Sequence, residues 1–191
     1  MKELSLNILD IVENSAKAGA SLIEVRLVEE NHILTMQVID NGCGMTPEML
    51  QRVTDPFCTT RTTRKVGLGI PLLKLAAEQT GGSVNIESRH QSEYPNNHGT
   101  TVTAIFHTDH IDFPPLGDII STISTIIQGH PDTDFLFLHK SETCDVSLDT
   151  REMREVLGEE VPLSSPEVLM WVCENLREQY NQGSSHGTVY L

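Results

Sequence analysis

Apolar residues recur at helical spacing near the start of the chain. Leu4, Ile8, Ile11, Val12 and then Ser15 or Ala16 fall on one face of a helix over residues 3–18. Asp10 and Asn14, four apart, stack on another face of the same helix, and Gly19 is a stop signal. Ile23, Val25 and Leu27 then alternate with Glu24 and Arg26, the signature of a half-buried strand. Residues 33–39 (ILTMQVI) predict a second strand, with Asn31 near the turn between the two. This strand runs directly into Asp40-Asn41-Gly42-Cys43-Gly44-Met45. Thr46-Pro47 reads as an N-cap followed by proline at the first helical position, opening a short helix to about Val53. Residues 54–66 have little periodicity and many threonines, so they predict a long loop. Gly67-Leu68-Gly69 opens a helix with apolar positions Leu68, Leu72, Leu75 and Ala76. Pro71 sits in its first turn, where no donor is lost, and Thr80-Gly81-Gly82 ends it. Val84 and Ile86 mark a third strand. Residues 101–106 alternate as a fourth, entered through Gly99-Thr100.

Four strands with hairpin-type links predict a mixed or antiparallel sheet, and helices on one face make an α+β, two-layer α/β sandwich. Pro114-Pro115 is the best boundary in the chain. It divides a first domain, 1–110, from a small acidic α/β extension, 116–191. The extension reads as a helix over 116–127, strands at 135–138 and near Val146, helices over 150–157 and 166–180, and a last strand at 188–190.

The composition narrows the classes. The chain has 191 residues, and 38% of them are hydrophobic, too many for a disordered protein and enough for a real core. No apolar run approaches the ~20 residues of a membrane span, and Asp10 and Glu13 interrupt the first apolar stretch, so it is not a signal peptide. The net charge of −14 disfavours a binder of duplex nucleic acid. The acidity is uneven. Residues 111–191 hold 4 basic and 14 acidic residues, a balance of −10, whereas residues 1–110 hold 9 and 13. The four cysteines have no C-x-x-C spacing and read as reduced thiols of a cytoplasmic protein. Basic residues concentrate at Arg61, Arg64 and Lys65, which read either as a solvated loop or as an anion-binding one.

Gly42-x-Gly44 after a strand is not a dinucleotide fingerprint, because Pro47 stands at the third glycine position and no βαβ unit follows. A Walker loop is absent as well. The combination is more specific than its parts. A helix with an acidic and amide face, D-x-G-x-G after a strand, a Thr/Arg loop, G-x-G at a helix start and G-T-T before a strand occur in that order. This resembles the GHKL ATP-binding (Bergerat-type) fold shared by DNA gyrase B, the ninety-kilodalton heat-shock chaperones, histidine kinases and MutL, over residues 1 to about 108.

The resemblance implies ATP and Mg²⁺ as cofactors. Asn14 matches the metal-binding asparagine, its amide oxygen being a hard ligand suited to Mg²⁺; the plainer reading is a solvent-facing side chain. Asp40 matches the adenine-reading aspartate. A carboxylate only accepts, so it pairs with the exocyclic amine of adenine and rejects the carbonyl of guanine; alone, it would read as a turn residue. Gly42 and Gly44 correspond to the glycines that bring backbone close to base and sugar. Gly67, Leu68 and Gly69 correspond to the second glycine box, whose helix start would face the phosphates. Arg61 and Lys65, with Arg64, would supply lid charge. Phe57 resembles the phenylalanine box of histidine kinases or is a core anchor of the lid. Thr100 matches the threonine near adenine or is a strand-entry hydroxyl.

Hydrolysing members carry a water-activating glutamate four residues before the asparagine, and here that position is Asp10, shorter by one methylene. Glu13 lies about 100° round the helix from Asn14 and should point elsewhere. In histidine kinases the same position usually holds asparagine, and the attacking group comes from another protein. The expectation is an ATP-binding, histidine-kinase-like protein without sensor or phospho-acceptor segment. It would act as an ATP-dependent protein kinase on a partner, as an ATPase driven through a conformational cycle, or as a non-catalytic nucleotide sensor. The expected partner is a protein or phospho-acceptor, with no nucleic acid and no membrane; a homodimer is left open.

Overall fold

The computed structural model describes residues 3–54, 69–158 and 160–183. Helix α1 (Leu4–Lys17), strands β1 (Leu22–Glu30) and β2 (Ile33–Asp40), helices α2 (Pro47–Thr54) and α3 (Gly69–Gln79), and strands β3 (Ser83–Arg89) and β4 (Gly99–His107) follow the predicted order. Then come α4 (Ile119–Gly129), β5 (Asp134–Lys140), β6 (Asp145–Asp149), α5 (Thr150–Leu157) and α6 (Pro166–Gly183). The β1–β2 hairpin turns on Asn31 and His32, with φ of 52° and 63°. Two consecutive left-handed residues are what a tight turn matched to strand twist requires, and asparagine tolerates that conformation better than most residues.

All six strands form one sheet in the order β3-β4-β2-β1-β5-β6. The β1–β5 pair is parallel, Leu22 facing Asp134, and the other pairs are antiparallel, so the sheet is mixed. Alternation buries one face: Val25, Leu27, Met36, Val38, Val102, Ala104, Phe106, Phe135 and Phe137 are nearly or wholly inaccessible. Helices α3, α1, α4 and α6 lie side by side as the second layer, as the two-layer expectation requires. Each large apolar side chain buried between the layers contributes roughly 1.5–3 kcal/mol. Among the described residues, no helix is long and apolar enough to cross a membrane.

The extension is not a layer apart. Strand β5 adds to β1 and β6 adds to β5, and one continuous core runs from Leu4 on α1 to Leu176 on α6. The Pro114-Pro115 segment joins the two halves rather than separating them. The Leu4 N–H donates to the Pro115 carbonyl at 3.0 Å and the Ser5 N–H to the Leu116 carbonyl at 2.9 Å. These are among the first N–H groups of α1, which have no partner within the helix and whose N-cap residue, Glu3, offers no side-chain bond. Gly117, at φ +78°, carries the backbone through this contact, where a side chain would meet Glu3 and Ser5.

Two local expectations change. Helix α3 buries Gly69, Leu73, Ala76 and Ala77, while Leu72 and Leu75 are exposed. Both sets have helical spacing, so the small residues that permit close approach to the sheet decide the face. Helix α4 starts at Ile119 rather than 116, because the Asp118 side chain caps it by accepting from the Ser121 N–H at 3.0 Å. The strand expected at 188–190 lies outside the described residues.

Candidate functional site

Asp40 ends β2, opposite Thr100 on β4 and Ile23 on β1. Its carboxylate is held from three directions. Oδ1 accepts from the Gly42 N–H at 2.9 Å and the Thr100 N–H at 3.2 Å, and Oδ2 accepts from the Ser15 hydroxyl at 2.7 Å. Ser15 is 4% exposed and follows Asn14 directly on α1, so one bond ties the helix to the sheet beside the predicted adenine reader. Oδ2 keeps one lone pair for a further donor, and the carboxylate's orientation is set before any ligand arrives.

The glycine loop after Asp40 is clamped at both ends. The Cys43 N–H donates to the Ala18 carbonyl at 2.9 Å, and the Cys43 carbonyl accepts from the Gln91 N–H at 2.9 Å. A Cβ on Gly42 would lie 3.0 Å from Ala18 Cβ, and one on Gly44, whose φ is +69°, would run into the Arg89 carbonyl. Glycine is therefore required at 44 by the hairpin packed against the loop, while at 42 the end of α1 leaves little room for a side chain. His98 Nδ1 lies 2.6 Å from the Gly42 carbonyl, an acceptor, so this nitrogen carries the proton. The Thr100 hydroxyl shares a 2.9 Å hydrogen bond with Ser88 Oγ, which also accepts from the Met45 N–H at 2.7 Å. Asn41 serves the frame, its Oδ1 accepting from the Ser21 and Leu22 N–H groups at the start of β1.

On α1, Asp10 and Asn14 are both exposed, one turn apart on the face away from the core. Neither side chain has a hydrogen bond or ion pair among the described residues. Gly69, the first residue of α3, packs so close to Asp10 that a Cβ there would lie 2.9 Å from Asp10 Cβ. Glu13 points elsewhere, as the helical period predicts: it meets His130 Nε2 at 2.8 Å and Lys17 at 3.7 Å. The hydrogen bond from His130 is the main reason its carboxyl is held below the usual range.

The structure thus brings together Asp40, Gly42 and Thr100, ties them through Ser15 to the helix turn that carries Asn14, and places Asp10 against Gly69. Arg61, Lys65, Gly67 and Leu68, with Phe57 and Arg64, lie outside the described residues. Sequence reasoning missed Ser15, Ser88 and His98 as site residues. Ser15 had one available signal, a hydroxyl in an otherwise apolar helical stripe. Among the described residues, no three His, Cys, Asp or Glu side chains converge into a metal cage. The exposed Asn14 amide oxygen and the Asp10 carboxylate are hard donors of the kind Mg²⁺ accepts, because that ion keeps several waters and takes few protein ligands.

A model of the histidine kinase-, DNA gyrase B- and HSP90-like ATPase family matches residues 2–110. Sporulation kinase E of Bacillus subtilis is 30% identical over 89 residues, 46% of this chain and 12% of that protein. Sporulation kinase B of the same organism is 27% identical over 104 residues, 53% of this chain and 23% of that protein. The chain therefore corresponds to less than a quarter of either relative. The Aquifex aeolicus MutL ATPase domain complexed with ADP superposes with a TM-score of 0.56 at 13% identity, covering 99% of this chain and all of that one, a likeness of fold. The family match takes in every motif assembled around Asp40, and the chain belongs to the histidine kinase-, DNA gyrase B- and HSP90-like ATPase family.

Proposed function

We propose that this protein binds Mg²⁺-ATP in the space bounded by α1, the Asp40 loop and the start of α3, and that it passes the γ-phosphate to, or thereby regulates, a partner protein. The observation that carries the reading is the Asp40 carboxylate, fixed by Ser15, Gly42 and Thr100 with one lone pair of Oδ2 left for an incoming amine. Asp40 accepts from the adenine amine. Asn14 supplies an oxygen to Mg²⁺, and when bound the ion screens phosphate charge. The site's own described charges, Asp10 and Asp40, are negative, so a triphosphate also requires cations; Arg61, Arg64 and Lys65 are the residues at hand in the sequence. The helix start at Gly69 adds the positive end of a dipole.

The test is a Mg²⁺-dependent rise in melting temperature with ATP and none with GTP. Asp40→Asn presents an amide donor where an acceptor is needed, and weakens ATP binding roughly tenfold to hundredfold, the range for losing a hydrogen bond to a charged group. No ATP-dependent shift in the unmodified protein ends the reading. A second reading, ATP hydrolysis, is favoured by Asp10, which is exposed one turn from Asn14 and set against Gly69. Incubation with γ-labelled ATP separates the two. Label on a second protein supports transfer, whereas free phosphate that disappears in Asp10→Asn supports hydrolysis.

A further inference from the structure

Three strands across the sheet from Asp40, a groove of about 1080 Å³ lies between β5–β6, α5 and the first half of α6. Phe135 and Phe137 point into the core, so Leu136 and Leu138, which alternate with them, face the other way and form part of the groove's lining. Met153 and Val156 of α5 and Trp171 of α6 also line it. Val156 is 86% exposed and Trp171 50% exposed, an unusual placement for large apolar groups unless they meet a partner. Four acidic side chains also line the groove, and no Lys, Arg or His does among the described residues. Asp149 is neutralised by Arg151, at 2.6 Å. Glu152, Glu160 and Glu167 have no ion pair among the described residues.

The neighbouring strand edge is already occupied. The Ser147 N–H donates to Gln179 Oε1 at 2.8 Å, and Gln179 Nε2 donates back to the Ser147 carbonyl at 3.0 Å. A second bond, to Asn175 Oδ1 at 2.6 Å, holds that amide in place. The side chain copies the pairing of a seventh strand at the centre of β6, so an incoming peptide finds no free ladder there. Recognition must then come through side chains entering the groove. The eight residues of α5 make a wall about 12 Å long, matching two turns of a helix laid along it.

We propose that this groove docks a basic amphipathic helix of a partner protein. Its apolar residues, spaced i, i+3, i+4 and i+7, would lie over Leu136 and Leu138 between Val156 and Trp171, and its Lys or Arg side chains would face Glu152, Glu160 and Glu167. Charge selects this occupant over the others. A second copy brings a net charge of −14, nucleic acid and anionic lipid are repelled by the same rim, and residues 184–191 contain no Lys or Arg. The inference does not require nucleotide to bind at Asp40, so each can fail alone.

Trp171 is the only tryptophan in the chain, so its emission reports on the groove directly. The probe is a labelled synthetic helix of about 15 residues, roughly four turns, with leucines at the stated spacing among lysines and alanines and no tryptophan. Titrated into the full chain, it saturates and shifts Trp171 emission to the blue. An isomer with the same residues scrambled binds roughly tenfold weaker or more, and so does the ordered peptide against Val156→Glu or against the triple variant Glu152→Lys, Glu160→Lys, Glu167→Lys. Val156 is largely in solvent, so its variant keeps the melting temperature of the parent. Equal affinity for the scrambled peptide, or no loss in Val156→Glu, overturns the proposal. It is overturned equally by a dimer that Val156→Glu dissociates, or by a chain ending at Gly183 that binds the peptide tenfold tighter, since then the groove's occupant is a second copy or the chain's own end.

Discussion

The two halves of this molecule use the same sheet for opposite purposes. In the first half, the end of β2 and the start of β4 meet in a dense polar lattice, where Asp40, Ser15, Gly42, Ser88, Thr100 and His98 fix one another with bonds of 2.6–3.2 Å. In the second half, β5 presents apolar side chains to an open groove rimmed by Glu152, Glu160 and Glu167, which have no ion pair among the described residues. A site that reads one functional group needs preorganised polar atoms at fixed positions. A surface that reads a partner's face needs apolar area and a sign of charge. The sheet serves both because its strands alternate: one face packs the shared core, while strand ends and the opposite face stay free for chemistry.

The sharpest way to break this comparison is to ask whether the halves are one folding unit. Phe137 is fully buried on β5, beside Val25 of β1. Phe137→Ala removes a large core side chain and costs about 3–5 kcal/mol. Because β1 and β5 share one sheet, that loss registers across the whole chain. Trp171 emission, on the second half, and an ATP-dependent shift, on the first, fall together in one transition. Two separated transitions would make the extension an independent domain.

The next effect belongs to the second half alone. His139 Nδ1 and the Tyr180 hydroxyl lie 2.8 Å apart, and burial pushes the His139 pKa down to about 4 and that of Tyr180 up. An unfolded chain takes up a proton on this imidazole near its ordinary value of 6.5, and the folded chain does not until about 4. The unfolded state therefore binds more protons between these values, and stability falls as pH drops from 6.5 to 4, by up to about 3 kcal/mol. Above 6.5 the group contributes no slope. Denaturant melts between pH 7 and 4 check this, and His139→Gln flattens the corresponding part of the curve. An unchanged slope in the variant would place the acid sensitivity in other groups.

Much of the first half was legible in the sequence because its signals are local. Strands β1, β2 and β4 alternate within their own length, and Asp40, Gly42, Gly44 and Asn14 stand in short motifs. What could not be read is where distant segments meet. The alternation of Ile23, Val25 and Leu27 says that β1 has a buried face. It does not say that β5, more than a hundred residues later, takes its other edge. Pro114-Pro115 breaks regular structure, which reads as a domain boundary, yet the same carbonyl-rich stretch completes α1. Leu72 and Leu75 have helical spacing equal to that of Leu73 and Ala76, and only packing against the sheet chooses between the two faces. The pairing of Ser15 with Asp40 spans 25 residues and leaves no trace in spacing.

That pairing gives the smallest and most discriminating effect. Ser15→Ala deletes the 2.7 Å bond to Asp40 Oδ2 and leaves the bonds of Oδ1 to Gly42 and Thr100 intact. Asp40 is only half-buried, so water replaces the hydroxyl and no charge is stranded. Alanine is also the better helix former, which offsets part of the lost bond, so stability changes by less than about 1 kcal/mol. Affinity for ATP falls by roughly threefold to tenfold, the worth of one net hydrogen bond. The loss arises because the carboxylate then samples more orientations before ligand arrives. Calorimetric titration with ATP measures it, and the basic helical peptide supplies the internal control, since its binding at β5–β6 is unchanged. An equal loss at both places would mean that Ser15 holds the fold together, whereas a loss confined to the nucleotide means that it aims Asp40.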